Sequence, residues 1–135
     1  MARVERLSVV DRAGSYSTDL IPRRVVFSVS EARRALPYVA RTVDDICEGY
    51  KTAQRCRASL AQRPAAAQAE WLVHKRDDAL RQLNRAIDEC NAVGAEVTDL
   101  STGAIRFDAR TNGLPVSLLW RIGEPTKGAW AGLTD

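Results

Sequence analysis

Apolar and small residues recur at Val29, Ala32, Leu36, Val39, Val43, Ile46, Tyr50 and Ala53, in alternating steps of three and four. That spacing keeps them on one stripe of an α-helix and predicts a heptad seam held for about four repeats. Ser28-Val29-Ser30-Glu31 precedes the seam. It has the form of a capping box, in which the Ser28 hydroxyl accepts from the Glu31 N–H while the Glu31 carboxylate reaches back to the Ser28 N–H. Pro37 lies inside the run and predicts a kink near the second turn. The helix otherwise reads on to about Gln62, and Arg63-Pro64-Ala65-Ala66 interrupts it.

A second helix is predicted from about Ala67 to Val93, stopped by Gly94 at the C′ position. Its stripe of Leu72, Val73, Ala79, Leu80, Leu83, Ala86, Ile87, Cys90 and Val93 is wider than a strict seam. So short a connection makes the helices an antiparallel hairpin, with Cys47 near Leu83 and Cys56 near His74. A lone hairpin has one seam and cannot bury both stripes. The pattern therefore predicts a homodimer or higher oligomer in which two hairpins form a four-helix bundle. Val39, Val43, Ile46, Tyr50, Leu80, Leu83 and Ile87 are its expected interface.

After Gly94 the apolar period falls to two. Val97 and Leu100 lead to a turn at Ser101-Thr102-Gly103, and Ala104-Ile105-Arg106-Phe107 reads as a strand. Asn112-Gly113 is a hairpin dipeptide. Val116, Leu118, Trp120 and Ile122 then line one face of a second strand, which ends at Gly123 and Pro125. A hairpin alone is barely stable in water, so one sheet face is expected to pack on the helices. The fold class is α+β: a long antiparallel helical hairpin followed by a small antiparallel β-hairpin or sheet. Residues 1–24 read as an N-terminal arm with a short strand at Leu7-Ser8-Val9-Val10 and a loop from Ala13 to Pro22; residues 25–135 read as one domain.

Composition narrows the functions. A chain of 135 residues with 45% hydrophobic and 27% charged residues is ordinary for a small soluble domain. No apolar run approaches the ~20 residues of a membrane span, and no apolar stretch near the N-terminus has signal-peptide form. The expectation is a cytoplasmic protein without membrane partners. The net charge is only +3, and acidic residues are interspersed almost everywhere. The richest basic spots, Arg23-Arg24 and Arg33-Arg34 with Arg41, read first as a linker and a solvated helix face, and only as a third choice as a nucleic-acid contact. Cys47, Cys56 and Cys90 have no zinc-ligand spacing and are expected to be buried free thiols.

Several blocks, in order, resemble a bacterial family catalogued as domain of unknown function 2203. They are Phe27-Ser28, Ala32-Arg33-Arg34-Ala35-Leu36-Pro37, Gly94-Ala95-Glu96-Val97 with Asp99-Leu100, Gly103-Ala104-Ile105-Arg106-Phe107, Leu118-Leu119-Trp120-Arg121-Ile122-Gly123-Glu124 and Ala129-Trp130-Ala131. The resemblance covers roughly residues 27–130. It implies no established activity. It also implies that Leu119, Arg106 and Ala131 stand where relatives carry Cys, Asp and His, so that any site built on those three is lost here. What remains of the blocks is Trp120, Arg121, Gly123, Glu124 and Trp130.

Arg121 with Glu124 is either an anion clamp or a structural ion pair, and Trp120 with Trp130 either lines a ligand cleft or caps the core. The structural alternatives are favoured. His74 is the only histidine; with Glu70 one turn away and Cys56 across the hairpin it is a weak metal set. No serine elbow, phosphate-cradling loop or carboxylate pair in an apolar setting is present. No catalytic residue, metal or cofactor is therefore expected. The sequence points to a non-catalytic oligomeric interaction or scaffold protein. Ligand binding through Trp120, Arg121, Glu124 and Trp130 is the alternative, and Arg-mediated nucleic-acid binding the next.

Overall fold

The computed structural model describes residues 3–6, as backbone, and residues 26–135. The Leu7–Val10 strand, the Ala13–Pro22 loop and Arg23-Arg24 lie outside the described residues. The elements run β1 (Arg3–Arg6), β2 (Phe27–Ser28), α1 (Val29–Ala61), α2 (Ala66–Val93), β3 (Ala95–Asp99), β4 (Ala104–Thr111) and β5 (Leu114–Arg121).

The local signals act as read. Ser28 Oγ accepts from the Glu31 N–H at 3.1 Å, and Glu31 Oε1 accepts from the Ser28 N–H at 2.9 Å, completing the capping box. These hydrogen bonds hold the Glu31 carboxyl below the usual carboxylate range, the Ser28 backbone bond foremost. Pro37 sits inside an α1 that is continuous from Val29 to Ala61. Gly94 ends α2 in the left-handed region at φ 103°. Asn112 and Gly113, both at positive φ, make the two-residue turn that pairs Thr111 with Leu114.

β4 and β5 pair antiparallel along their whole length, and β1 pairs antiparallel with the far side of β5. The other edge of β4 is shared. β3 pairs antiparallel with its first half, and β2 runs parallel to its second half, with Phe27 opposite Ala109. The sheet is therefore mixed rather than purely antiparallel. The residues just before α1 enter it because a parallel partner must arrive by a long connection, and the helical hairpin supplies one.

One sheet face closes on the helices. Val29, Ala32, Leu36, Val39, Val43 and Ile46 of α1 and Leu83, Ala86 and Cys90 of α2 join Ile105, Phe107, Ala109, Val116, Leu118 and Trp120 in one core. Phe107 is its hub: the Phe27 ring meets it edge-on at 5.2 Å and the Trp130 ring at 5.8 Å. This corrects the expectation for the helical seam. Val39, Val43 and Ile46 are fully buried, and Leu83 nearly so, within a single chain. The sheet covers the stripe assigned above to a second hairpin, so those four residues cannot also form an oligomer interface. Tyr50 and Ile87 are half-buried against the same core, and Leu80 alone of the seven is exposed, at 38%.

The sheet does not reach the far end of the hairpin. There the helices meet only each other, through Ala53, Cys56, Leu72 and Ala79. Gly49 marks their close approach: a Cβ at that position would lie 3.2 Å from the Ala79 carbonyl oxygen and 3.3 Å from Leu83 Cβ. The predicted pairing of Cys47 with Leu83 is thus correct to within a helical turn. Among the described residues no helix is long and apolar enough to cross a membrane.

Candidate functional site

The C-terminal block is consumed by packing. Trp120 and Trp130 are buried. Each indole N–H donates to a backbone carbonyl, Trp120 to Pro125 at 3.3 Å and Trp130 to Leu119 at 3.0 Å. Buried indoles with their N–H groups satisfied cap the core. Arg33 fixes this region from α1. Its guanidinium donates to the carbonyls of Ala129, Trp130 and Leu133. That group is therefore structural, which takes Arg33 out of the basic set of Arg23, Arg24, Arg33, Arg34 and Arg41. Below it, the Asp135 carboxylate accepts from the Ser30 N–H at 2.8 Å, in the first turn of α1. This bond, placed where the helix dipole favours an anion, lowers the Asp135 pKa. Sequence reading missed both roles, because partners a hundred residues apart leave no local pattern.

Arg121 Nε lies 3.3 Å from Glu124 Oε1 across the Gly123 turn. The Glu124 side chain is only 6% exposed and that of Arg121 51%. An ion pair closing a turn is the arrangement present. Arg106 and Leu119 are cross-strand partners, and Ala131 follows the tryptophan that reaches the Leu119 carbonyl. The three positions singled out by the resemblance thus lie in one neighbourhood. Arginine, leucine and alanine there supply neither a nucleophile nor a set of metal ligands. Arg106 pairs with Glu96 and lies 3.8 Å from Asp108.

All three cysteines are free and buried. Burial pushes the Cys90 thiol up to about 11, and it also raises the Cys47 thiol, whose sulfur faces the Leu100 carbonyl oxygen at 3.4 Å. Neither is a ready nucleophile at neutral pH. His74 and Glu70 sit 4.0 Å apart on an exposed face, while Cys56 is enclosed between the helices. The weak metal set is thereby dispersed, and among the described residues no group of three or more His, Cys, Asp or Glu could hold a metal ion. Asp99 caps the turn before Gly103. Bonds from the Ser101 hydroxyl and from the Thr102 and Ser101 N–H groups hold its carboxyl below the ordinary range.

An open concavity among the described residues lies elsewhere, on the hairpin face turned away from the sheet. A groove of about 540 Å³ runs between α1 and α2. It is lined by Asp45, Glu48 and Thr52 on one side, Lys75, Asp78, Gln82, Arg85 and Glu89 on the other, with Gly49, Ala79 and Ala86 as its small residues. It adjoins a second hollow of about 220 Å³ past Thr52 and Lys75, where Arg55, Cys56, Leu72 and Trp71 gather. Trp71 is 53% exposed, and the Lys75 ammonium lies 4.8 Å from its ring centroid, within cation–π range. The sequence held one clue to this face. Gly49 in mid-helix costs about 1 kcal/mol against alanine, and a close helix approach is what repays it.

A family model described as "Uncharacterized conserved protein (DUF2203)" matches residues 25–135. No curated protein and no solved structure matches the chain.

Proposed function

The chain belongs to the DUF2203 family, and we propose that it is a non-catalytic, self-associating scaffold whose working surface is the open face of the helical hairpin. The observation that supports this reading is a division of labour within the hairpin. Its inner face is sealed by the sheet, while its outer face is left as a groove lined by charged and small residues. The side chains of Trp120, Arg121 and Glu124 are spent on packing and a turn. Buried indoles and a turn-closing ion pair weigh against the ligand-binding alternative at Trp120, Arg121, Glu124 and Trp130. Among the described residues, three buried thiols and an exposed histidine favour a non-catalytic role. Light scattering on a size-exclusion column, over a hundredfold range of concentration, tests the reading. A dimer or larger assembly is expected. A monomer throughout the range removes the self-associating part of the proposal.

A further inference from the structure

The groove face carries a charge pattern that is its own complement. Along α2 the groove residues are Lys75, Asp78, Gln82, Arg85 and Glu89. Reversing the helix about Gln82 sets Lys75 against Glu89 and brings Asp78, which pairs with Arg81 in its own chain, to within one residue of the position opposite Arg85. Along α1 the corresponding residues are Asp45, Glu48, Thr52 and Arg55. Reversing that helix about Tyr50 sets Asp45 against Arg55 and Glu48 against Thr52. The two centres lie within about 3 Å of one height along the hairpin, because Gly49 rests against Ala79 and Leu83. A single two-fold axis lying across both helices therefore brings Lys75 within side-chain reach of Glu89 and Asp45 within reach of Arg55. The same axis sets the exposed Trp71 over Val93 of the second copy. Among the described residues, Asp45, Arg55, Arg85 and Glu89 make no ion pair within the chain.

From this geometry we infer that the occupant of the groove face is a second copy of the chain, docked antiparallel with α1 on α1 and α2 on α2. This rests on the scaffold reading above and specifies its interface. It moves the contact from Val39, Val43, Ile46 and Leu83, which the sheet covers, to Lys75, Asp78, Arg85, Glu89, Asp45 and Arg55. From Trp71 to Val93 the overlap is about 33 Å long. At the width of a helix pair, roughly 20 Å, it buries about 1,300 Å² in total, near the lower bound for specific interfaces. Ion pairs at such a surface set orientation and register more than affinity. The dimer is accordingly expected to be modest in strength and weakened by salt.

The test is a charge exchange followed by sedimentation velocity on the full chain. Lys75→Glu and Glu89→Lys each place like charges opposite one another twice per dimer, and each is expected to weaken association about tenfold or more. The doubly exchanged chain, Lys75→Glu with Glu89→Lys, is expected to return to wild-type association. Mixing the two single variants is expected to give a heterodimer that neither forms alone. Both positions are exposed, and unchanged far-ultraviolet circular dichroism will verify folding. A wild-type dimer indifferent to both single changes overturns this placement and leaves the scaffold reading standing. A wild-type chain that is monomeric throughout overturns both. A dimer weakened by either change but not restored by the double exchange also overturns the pairing.

Discussion

The two ends of the helical hairpin are built from the same two helices but closed in different ways. At the base, α1 lays Val29, Leu36, Val39, Val43 and Ile46 against a sheet face that carries Ile105, Phe107, Leu118 and Trp120. Each such large side chain contributes about 1.5–3 kcal/mol when fully buried. Toward the tip, only Leu72 among the residues buried between the helices is large, and the rest are alanine and cysteine. The base also begins on a complete capping box, whereas α2 starts at the tip from Ala65 with no side-chain cap. The connection there holds Arg63 at a φ of 53°, where side chains other than glycine are strained. Equal helical periodicity therefore yields unequal stability, because it is the covering layer that converts a stripe into a core.

The contrast can be broken most sharply at its hub. Phe107→Ala removes the ring that both Phe27 and Trp130 contact edge-on. It should cost about 3–5 kcal/mol in chemical denaturation and weaken the fold as a whole. Leu72→Ala should cost near 2 kcal/mol, at the low end for such truncations, since two helices alone can close up. Equal losses from the two changes would show that the tip is supported as firmly as the base.

Gly103→Ala should cost about 1–3 kcal/mol. The residue has a φ of 65°, and a Cβ would fall 2.7 Å from Ile122 and 2.9 Å from the Cys47 sulfur. Thermal melting of this variant beside Gly49→Ala, whose φ is helical and whose contacts are looser, separates backbone strain from crowding.

The thiols report the two ends separately. Cys56 belongs to the tip and Cys90 to the base, and both are buried. A disulfide reagent at neutral pH should modify Cys56 before Cys90, because modification waits for local opening and the tip opens more easily. Identical rates would mean that the hairpin opens as one unit. Cys90 also has a pH signature. Its folded pKa, about 11, lies above the ordinary value of 9.0, so between those values the folded chain holds more protons than the unfolded one. Its contribution is intact below pH 9 and declines as the pH rises toward 11. Cys90→Ala should flatten that part of a stability–pH curve.

Arg121→Ala should be the mildest change, below about 1 kcal/mol, since the arginine is half-exposed and its ion pair spans one turn. A loss of several kcal/mol would instead mark the Arg121–Glu124 pair as a keystone of the C-terminal turn.

Much of this was legible in the sequence. The step of three and four marked α1 and a wider apolar stripe marked α2, Ser28 and Glu31 fixed the start of α1, and Gly94 its partner's end. Asn112-Gly113 set the strand register, and the period of two put Val116, Leu118 and Trp120 on one face. Each of these follows from interactions within a few residues. The sequence also established that the α1 stripe must be covered, because the hydrophobic effect demands it. It did not establish by what, because that effect has no direction and no memory of chain order. Tertiary structure decided that the sheet, not a second hairpin, covers Val39, Val43 and Ile46. It decided that Phe27 enters beside Ala109, that Arg33 is spent on the carbonyls of Ala129, Trp130 and Leu133, and that the hairpin's free surface is its charged face. Those outcomes depend on which distant segments fit together, and no local pattern encodes that fit.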